Sequence, residues 1–256
     1  MNEIILNHKY KYRFIDSLGR MLIHIYDKPC PLKPAKLFKF YNASLNNIAS
    51  LHEGYFWLSK PQDFNDPFDC NLNLITHENL EIDGKPNSIE DIGITCFTEI
   101  NDEWLMWAHY TNNYRGYSIE FNTENLRVRM DQDNNNRHYS LNPVMYFNEF
   151  PEVKNTQPFA MEYLLTAKNI RWEYEKEWRI MYSIDTDNKY DRILFYEPIA
   201  VKALYIGYRL LDEQESVFNL IESIFTSKYP DKPIYIVYPD PKKLEMVFYK
   251  RYPLDF

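Results

Sequence analysis

The sequence predicts an α+β protein, a mixed and mainly antiparallel sheet or sheets with three to four helices. Three observations lead there. Short runs rich in β-branched and aromatic residues outnumber the helical stretches. Those runs are uneven in length and are not regularly interleaved with helices, as a doubly wound parallel sheet would require. Helical spacing is confined to a few segments, most clearly Val217, Leu220, Ile221 and Ile224.

Residues 1–35 read as a lead-in of one or two strands followed by the Pro-rich break KPCPLKP, and residues 36–256 as a single α+β domain. LFKFY (Leu37–Tyr41) is a short buried strand. Asn42–Glu53 has helical spacing, with Asn42 or Ser44 as the cap and Gly54 as the stop. YFWLS (Tyr55–Ser59) is an aromatic strand, and KPQDFNDPFDC is a loop with turns. GITCF (Gly93–Phe97) is a strand. Asn101–Tyr114 is a helix capped by Asn101 or Asp102, and Tyr117–Phe121 is a strand. DQDNNNRHY (Asp131–Tyr139) is a polar loop, Val144–Phe147 a strand and Gln157–Lys168 a helix. Lys168–Tyr182, Ile193–Phe195, Val201–Ile206, Ile234–Val237 and Leu244–Phe248 are strands, with the helix Glu213–Ser227 between the third and fourth of these.

Composition narrows the function classes. The net charge of −8 argues against broad electrostatic binding of nucleic acid and leaves only a local patch for it. Cys30, Cys70 and Cys96 are far apart and form no CxxC pair, which disfavours a disulfide framework or a zinc site. Free thiols fit a reducing cytoplasm, the expected location. The N-terminal residues show no signal-peptide pattern, and no run is apolar enough to span a bilayer, so no membrane partner is expected. Only six glycines are present, with neither GxGxxG nor GxxxxGK[ST], so no phosphate-cradling loop is predicted. Twenty-two tyrosines suit an aromatic core and equally a pocket for a flat ligand.

Three constellations bear chemistry. In Asn65-Asp66-Pro67-Phe68-Asp69, Pro67 biases Asp66 toward extended backbone, and the Asn and Asp side chains bond nearby N–H groups. That describes a structural turn, and equally a loop offering Asp66 and Asp69 as acceptors, or as Mg²⁺ ligands if another carboxylate converges. In Trp104–Tyr110, helical spacing brings Met106, His109 and Tyr110 together, and Trp107 near Tyr110. A helix apolar nearly all round makes His109 a buried core residue; at a cleft it would bind a ribose or phosphate, or move a proton.

The third constellation is KNIRWEYEKEWRIMY (Lys168–Tyr182). Read as one strand, it points Trp172, Tyr174, Lys176 and Trp178 one way and Glu173, Glu175, Glu177 and Arg179 the other. Three carboxylates and a guanidinium in a row need water, each other or a polar ligand. One outcome is a solvated edge strand in which Arg171, Lys176 and Arg179 pair with the glutamates. Another is a site in which one of Glu175 and Glu177 orients a ribose hydroxyl and the other stabilises positive charge at a reacting carbon.

In this order, LFKFY, WLSKPQDFNDPFDC, ITCFTE, LMWAHYTNNYRGYSIEF, KNIRWEYEKEWRI and VKALYIG resemble the DUF2971 family, bacterial proteins of unknown function. The resemblance runs from Leu37 to Gly207 and toward the C-terminus. One departure is Phe38-Lys39-Phe40-Tyr41, where the family has Tyr-Lys-Tyr-Arg; the closer copy Tyr10-Lys11-Tyr12-Arg13 lies far from FNDPFD.

The segment order also resembles, more loosely, ADP-ribosyltransferases and their split sheet. That similarity implies Glu177 as the catalytic glutamate and Glu175 as the residue that positions the acceptor. It implies Lys39 and Tyr41 at the nicotinamide ribose, Tyr55 or Trp57 stacked on nicotinamide, and NAD as substrate with no metal. Asn65, Asp66, Asp69, Trp107, His109, Tyr110 and Arg179 complete the expected ligand-binding set. The expected function is cleavage of NAD and transfer of ADP-ribose to a macromolecule, in a bacterial toxin or phage-defence effector. The alternatives are a metal-dependent nuclease or phosphohydrolase using Asp66, Asp69, Glu175 and Glu177, and a non-enzymatic nucleotide-binding sensor.

Overall fold

The computed structural model describes residues 3–5, 11–17, 20–26, 32–76, 89–130, 139–156, 160–184 and 189–252. In chain order the strands begin with β1 (Glu3–Ile5), β2 (Lys11–Ser17), β3 (Arg20–Tyr26), β4 (Lys36–Asn42), β5 (Tyr55–Trp57) and β6 (Ile75–Thr76). They continue as β7 (Ile92–Thr98), β8 (Gly116–Asn122), β9 (Val128–Met130), β10 (Tyr139–Pro143), β11 (Met145–Phe147) and β12 (Val153–Lys154). The last six are β13 (Ala167–Asn169), β14 (Glu177–Ser183), β15 (Ile193–Tyr196), β16 (Val201–Gly207), β17 (Ile234–Asp240) and β18 (Glu245–Tyr252). The helices are α1 (Leu45–Glu53), α2 (Trp104–Tyr110), α3 (Ala160–Thr166), α4 (Tyr208–Glu213) and α5 (Glu215–Lys228). This is an α+β protein with mainly antiparallel strand pairing.

The chain weaves through two compact units. Unit 1 consists of Met1–Leu32, Leu58–Cys96 and Gln132–Arg192; unit 2 of Lys33–Trp57, Phe97–Asp131 and Ile193–Phe256. In unit 1, β1, β2 and β3 form an antiparallel meander, and β14 lies between β10 and β7. β10 runs antiparallel to β14 with Asn142 opposite Arg179. The short parallel pair β11/β13 sets Tyr146 opposite Lys168, and β12 pairs parallel with β6. Ile94, Val153, Tyr163, Leu164 and Ala167 are fully buried at the centre of this unit.

In unit 2 the strand order is β4-β8-β16-β17-β18, with the last residues of β7 beside β4. The β4/β8, β8/β16 and β17/β18 pairs are antiparallel, whereas β16 and β17 are parallel and joined through α4 and α5. Alternation places Leu37 and Tyr41 of β4 and Tyr117, Ile119 and Phe121 of β8 in the core. Helix α1 starts at Ser44, whose hydroxyl accepts the Asn47 N–H, and stops at Gly54 in the left-handed region at φ 84°.

Three sequence expectations need correction. Helix α2 is shorter than Asn101–Tyr114 and is capped by Glu103, whose carboxylate accepts the Leu105 N–H. The buried stripe of α5 is Phe218, Ile221 and Phe225, and Leu220 is 47% exposed. The larger phenylalanines take the core and rotate the stripe by one residue. Segment Lys168–Tyr182 is not one strand but β13, a 3₁₀ turn over Ile170–Glu175, and β14. Most of the polar loop predicted at Asp131–Tyr139 and the start of the helix predicted at Gln157 lie outside the described residues.

Gly116 opens β8 where the backbone of β4 comes closest. A Cβ there would lie 2.1 Å from the Tyr41 carbonyl oxygen and 3.0 Å from the Asn42 Cα. Backbone cannot swing aside as a side-chain tip can, so Gly116→Ala is expected to cost about 1–3 kcal/mol in a urea melt.

Candidate functional site

The turn that breaks the charged segment builds the most unusual feature of unit 1. Asn169 caps it by accepting the Arg171 N–H at 3.1 Å, and the turn ends at Lys176, which is left-handed at φ 42°. This reversal brings Glu175 and Glu177 to one ammonium group. Lys168 Nζ donates to Glu175 at 2.6 Å and to Glu177 at 2.9 Å. It also lies 3.6 Å from Asp69 and 4.9 Å from the ring centre of Trp172.

Arg179, with no exposed surface, is the second cation. Its Nε and one terminal nitrogen donate to the two oxygens of Glu177, at 2.7 and 3.1 Å. Its terminal nitrogens grip the two oxygens of Asp69 at 2.8 and 2.5 Å. A further N–H donates to the Leu165 carbonyl at 2.7 Å, so every guanidinium donor has an acceptor. The Glu177 N–H donates to the Tyr146 hydroxyl oxygen at 2.9 Å, and the Cys96 thiol hydrogen-bonds the Glu177 carboxylate.

Electrostatics follow from this packing. Burial pushes the Glu177 carboxyl up, but Arg179 and Lys168 outweigh it and hold the group well below the usual carboxylate range. Burial pulls Lys168 down, and Glu177 and Glu175 reverse this, so the ammonium stays charged. The Cys70 thiol, buried beside the network, is pushed up to about 12 by desolvation, against the pull of Arg179. It is a protonated, poorly nucleophilic sulfur.

A groove of about 470 Å³ borders this network, lined by Pro61, Gln62, Phe64, Asp66, Pro67, Asp69, Cys70, Asn71, Leu72, Asn73 and Ile89. The FNDPFD loop forms much of its wall. Asp66 accepts the Phe68 N–H at 2.9 Å, the Asp69 N–H donates to the Asp66 carbonyl, and Cys70 is left-handed at φ 53°. Phe64 lies 5.0 Å below the Arg179 guanidinium and presents its ring to the groove.

The MWAHY helix, the YEKEWR turn and the strands between them form a continuous stretch within the chain. Residues 106–180 match the family model for a protein of unknown function, DUF2971. No curated protein and no solved structure matches the chain. The DUF2971 match opens at Met106 and closes at Ile180, so it contains Lys168, Glu175, Glu177 and Arg179 and omits FNDPFD with Asp69. The family's description assigns no activity.

Unit 1 therefore gathers Asp69, Glu175, Glu177 and Arg179 at one place, with Asp66 near Asp69 in the groove lining and Asn65 exposed on the loop. The solvated edge-strand expectation is overturned, because Glu175, Glu177 and Arg179 are buried and face the core of the unit. Lys168 is the site residue that sequence reasoning passed over, since it looked like the flank of the charged run. Among the described residues no group of three or more His, Cys, Asp or Glu side chains is placed to hold a metal ion. The clustered carboxylates are turned to Lys168 and Arg179 instead.

In unit 2, Lys39 lies 5.4 Å from the Tyr41 ring centre, and Tyr41 is buried and stacked on Tyr117 at 5.1 Å. Tyr55 is half-buried against Phe195, and Trp57 is 48% exposed. Trp107 is fully buried and donates to the Asn101 carbonyl, and Tyr110 is half-buried. His109 was expected in the core and is exposed, because the seven-residue helix buries only Met106 and Trp107.

Removing one cation strands buried carboxylates. Lys168→Met is expected to cost about 3–5 kcal/mol in a denaturant melt. Glu177 in the unfolded chain titrates near the ordinary value of about 4.3 and lower in the fold. Its stabilisation is complete above that value and declines as pH falls below it. Glu177→Gln is therefore expected to flatten the acid limb of a stability–pH curve.

Proposed function

We propose that unit 1 recognises a small nucleotide-like ligand in the groove beside Phe64, with Gln62, Asp66, Asn71 and Asn73 supplying polar contacts. The observation that carries this reading is the anchoring of the groove wall. Asp69 lines the groove, and both of its oxygens are held by Arg179. A wall held in place before the ligand arrives loses little entropy on binding. Amides and carboxylates suit the edges of a base and the hydroxyls of a ribose. The described lining carries no Lys or Arg, so the base and ribose would sit here, not the phosphates. NAD and its fragments are the first ligands of this class to try.

ADP-ribosyl transfer is the second reading, favoured by the ionised state of Glu177. A fixed negative charge stabilises the positive charge that develops at a ribose carbon as its bond to nicotinamide breaks. The bonding pair would leave with nicotinamide, and an acceptor hydroxyl on a protein or nucleic acid, or water, would form the new bond and lose its proton. Glu175 would position that acceptor. Both oxygens of Glu177 are already engaged by Arg179 and Lys168, so this chemistry needs the network to open, and recognition without turnover ranks first. The proposed setting is the cytoplasm of a bacterium, where Cys70 and Cys96 stay reduced. Among the described residues no helix is long and apolar enough to cross a membrane.

Calorimetric titration of the full chain with NAD, ADP-ribose and nicotinamide, alongside an assay of nicotinamide release, separates the readings. Recognition predicts binding without release, weakened about three- to tenfold by Gln62→Ala or Asn73→Ala at unchanged melting temperature. Transfer predicts release that Glu177→Gln abolishes in a folded protein. Failure of all three compounds to bind would overturn both.

A further inference from the structure

Unit 2 carries a row of four tyrosines near the carboxyl ends of the parallel strands β16 and β17. Tyr114 packs on Tyr208 with ring centres 5.7 Å apart, Tyr208 on Tyr238 at 5.5 Å, and Tyr238 on Tyr249 at 5.7 Å. At the Tyr249 end the row opens into a cavity of about 400 Å³ walled by Tyr238, Tyr249, Val247 and the prolines on either side of Asp240. Tyr249 is 61% exposed, which core packing does not explain.

The backbone is strained where the row is completed. Asn112, Asn113 and Tyr114 are successively left-handed, at φ 53°, 57° and 66°. Asparagine tolerates that region and a bulky aromatic residue resists it. Tyr114 is held there by donating its hydroxyl to the Trp104 carbonyl at 3.2 Å and by lying against Gly207, where a Cβ would meet the Tyr114 carbonyl oxygen at 2.3 Å. Strain of this kind collects at binding sites.

The local charge differs from that of the whole chain. Residues 232–252 hold five Lys or Arg against two Asp or Glu, in a chain of net charge −8. Of the five, Arg251 is paired with Glu222 at 2.6 Å and Lys243 with Glu245 at 3.4 Å, the latter an exposed pair. The Asp240 side chain accepts the backbone N–H groups of Lys242 and Lys243, fixing the turn that carries both lysines. The Arg209 guanidinium lies 5.7 Å from the Tyr208 ring centre.

We propose that the tyrosine row is a stacking platform for the bases of a single-stranded nucleic acid, whose phosphates meet Arg209, Lys242 and Lys243. Tyr249, 61% exposed, ends a row whose other three rings are half-buried and tilted or edge-on to one another. It offers a surface that suits bases of any sequence, and the cations select a polyanion over an uncharged peptide. Asp212 and Asp240 border the row, so stacking supplies most of the affinity and salt weakens it moderately. The inference rests on unit 2 alone and is independent of the groove in unit 1.

Fluorescence anisotropy of labelled oligothymidylate and oligouridylate with the full chain tests it, with a duplex of equal length and a proline-rich peptide as competitors. Single strands are expected to bind and the duplex to bind more weakly. Tyr249→Ala, at an exposed position, is expected to weaken binding about fivefold or more with an unchanged melting temperature. Ile199→Ala, 65% exposed and outside the row, is expected to leave affinity unchanged. Absent single-strand binding, a Tyr249→Ala protein of wild-type affinity, or a peptide that binds at Tyr249 while oligonucleotides do not would each overturn the proposal.

Discussion

The architecture of unit 1 depends on one guanidinium. Arg179 sits in the interior and spans two carboxylates that are far apart in the chain, Glu177 beside it and Asp69 in the loop before β6. A buried guanidinium donor left unsatisfied costs free energy, and here the Leu165 carbonyl takes the last one. The guanidinium thereby ties the end of α3 and the FNDPFD loop to β14. Lys168 extends the same logic to Glu175. The network is therefore less a gain in stability than a specification of which loop meets which strand, since an apolar replacement of equal volume would pack as well without choosing a partner.

Much of the secondary structure was legible because local chemistry decided it. Ser44 and Gly54 bound α1 as their side-chain oxygen and backbone freedom predict, and LFKFY, GITCF and VKALYIG are strands because β-branched and aromatic residues crowd there. What stayed hidden were tertiary decisions. Phe218 and Phe225 outweighed Leu220 and Ile224 for the core face of α5, and no periodicity records that contest. The interleaving of two units from alternating chain segments leaves no mark in composition.

The candidate site was legible in its members and not in its arrangement. Asp66, Asp69, Glu175, Glu177 and Arg179 stood out because charged residues are dense in two short segments. The meeting of Asp69, Glu175 and Glu177 with Lys168 and Arg179 could not be read, because nothing near Asp69 in the sequence announces a guanidinium 110 positions away. The charged run looked like a strand because alternation of aromatic and ionised residues also fits a turn followed by a strand; the two differ over the 3₁₀ residues Ile170–Glu175 and in the left-handed torsion at Lys176.

That torsion changes how a Glu-x-Glu motif should be read in other chains. With the middle residue left-handed, the two carboxylates face a common cation. With it extended, they lie along one face of a strand and can both face solvent or a ligand. Valine, isoleucine, threonine and proline do not settle in the left-handed region, whereas glycine and asparagine do so readily and an unbranched residue such as lysine can be held there. The middle residue thus helps decide whether such a pair closes on a buried cation, as it does at Lys176, and a β-branched residue or proline there disfavours that closure.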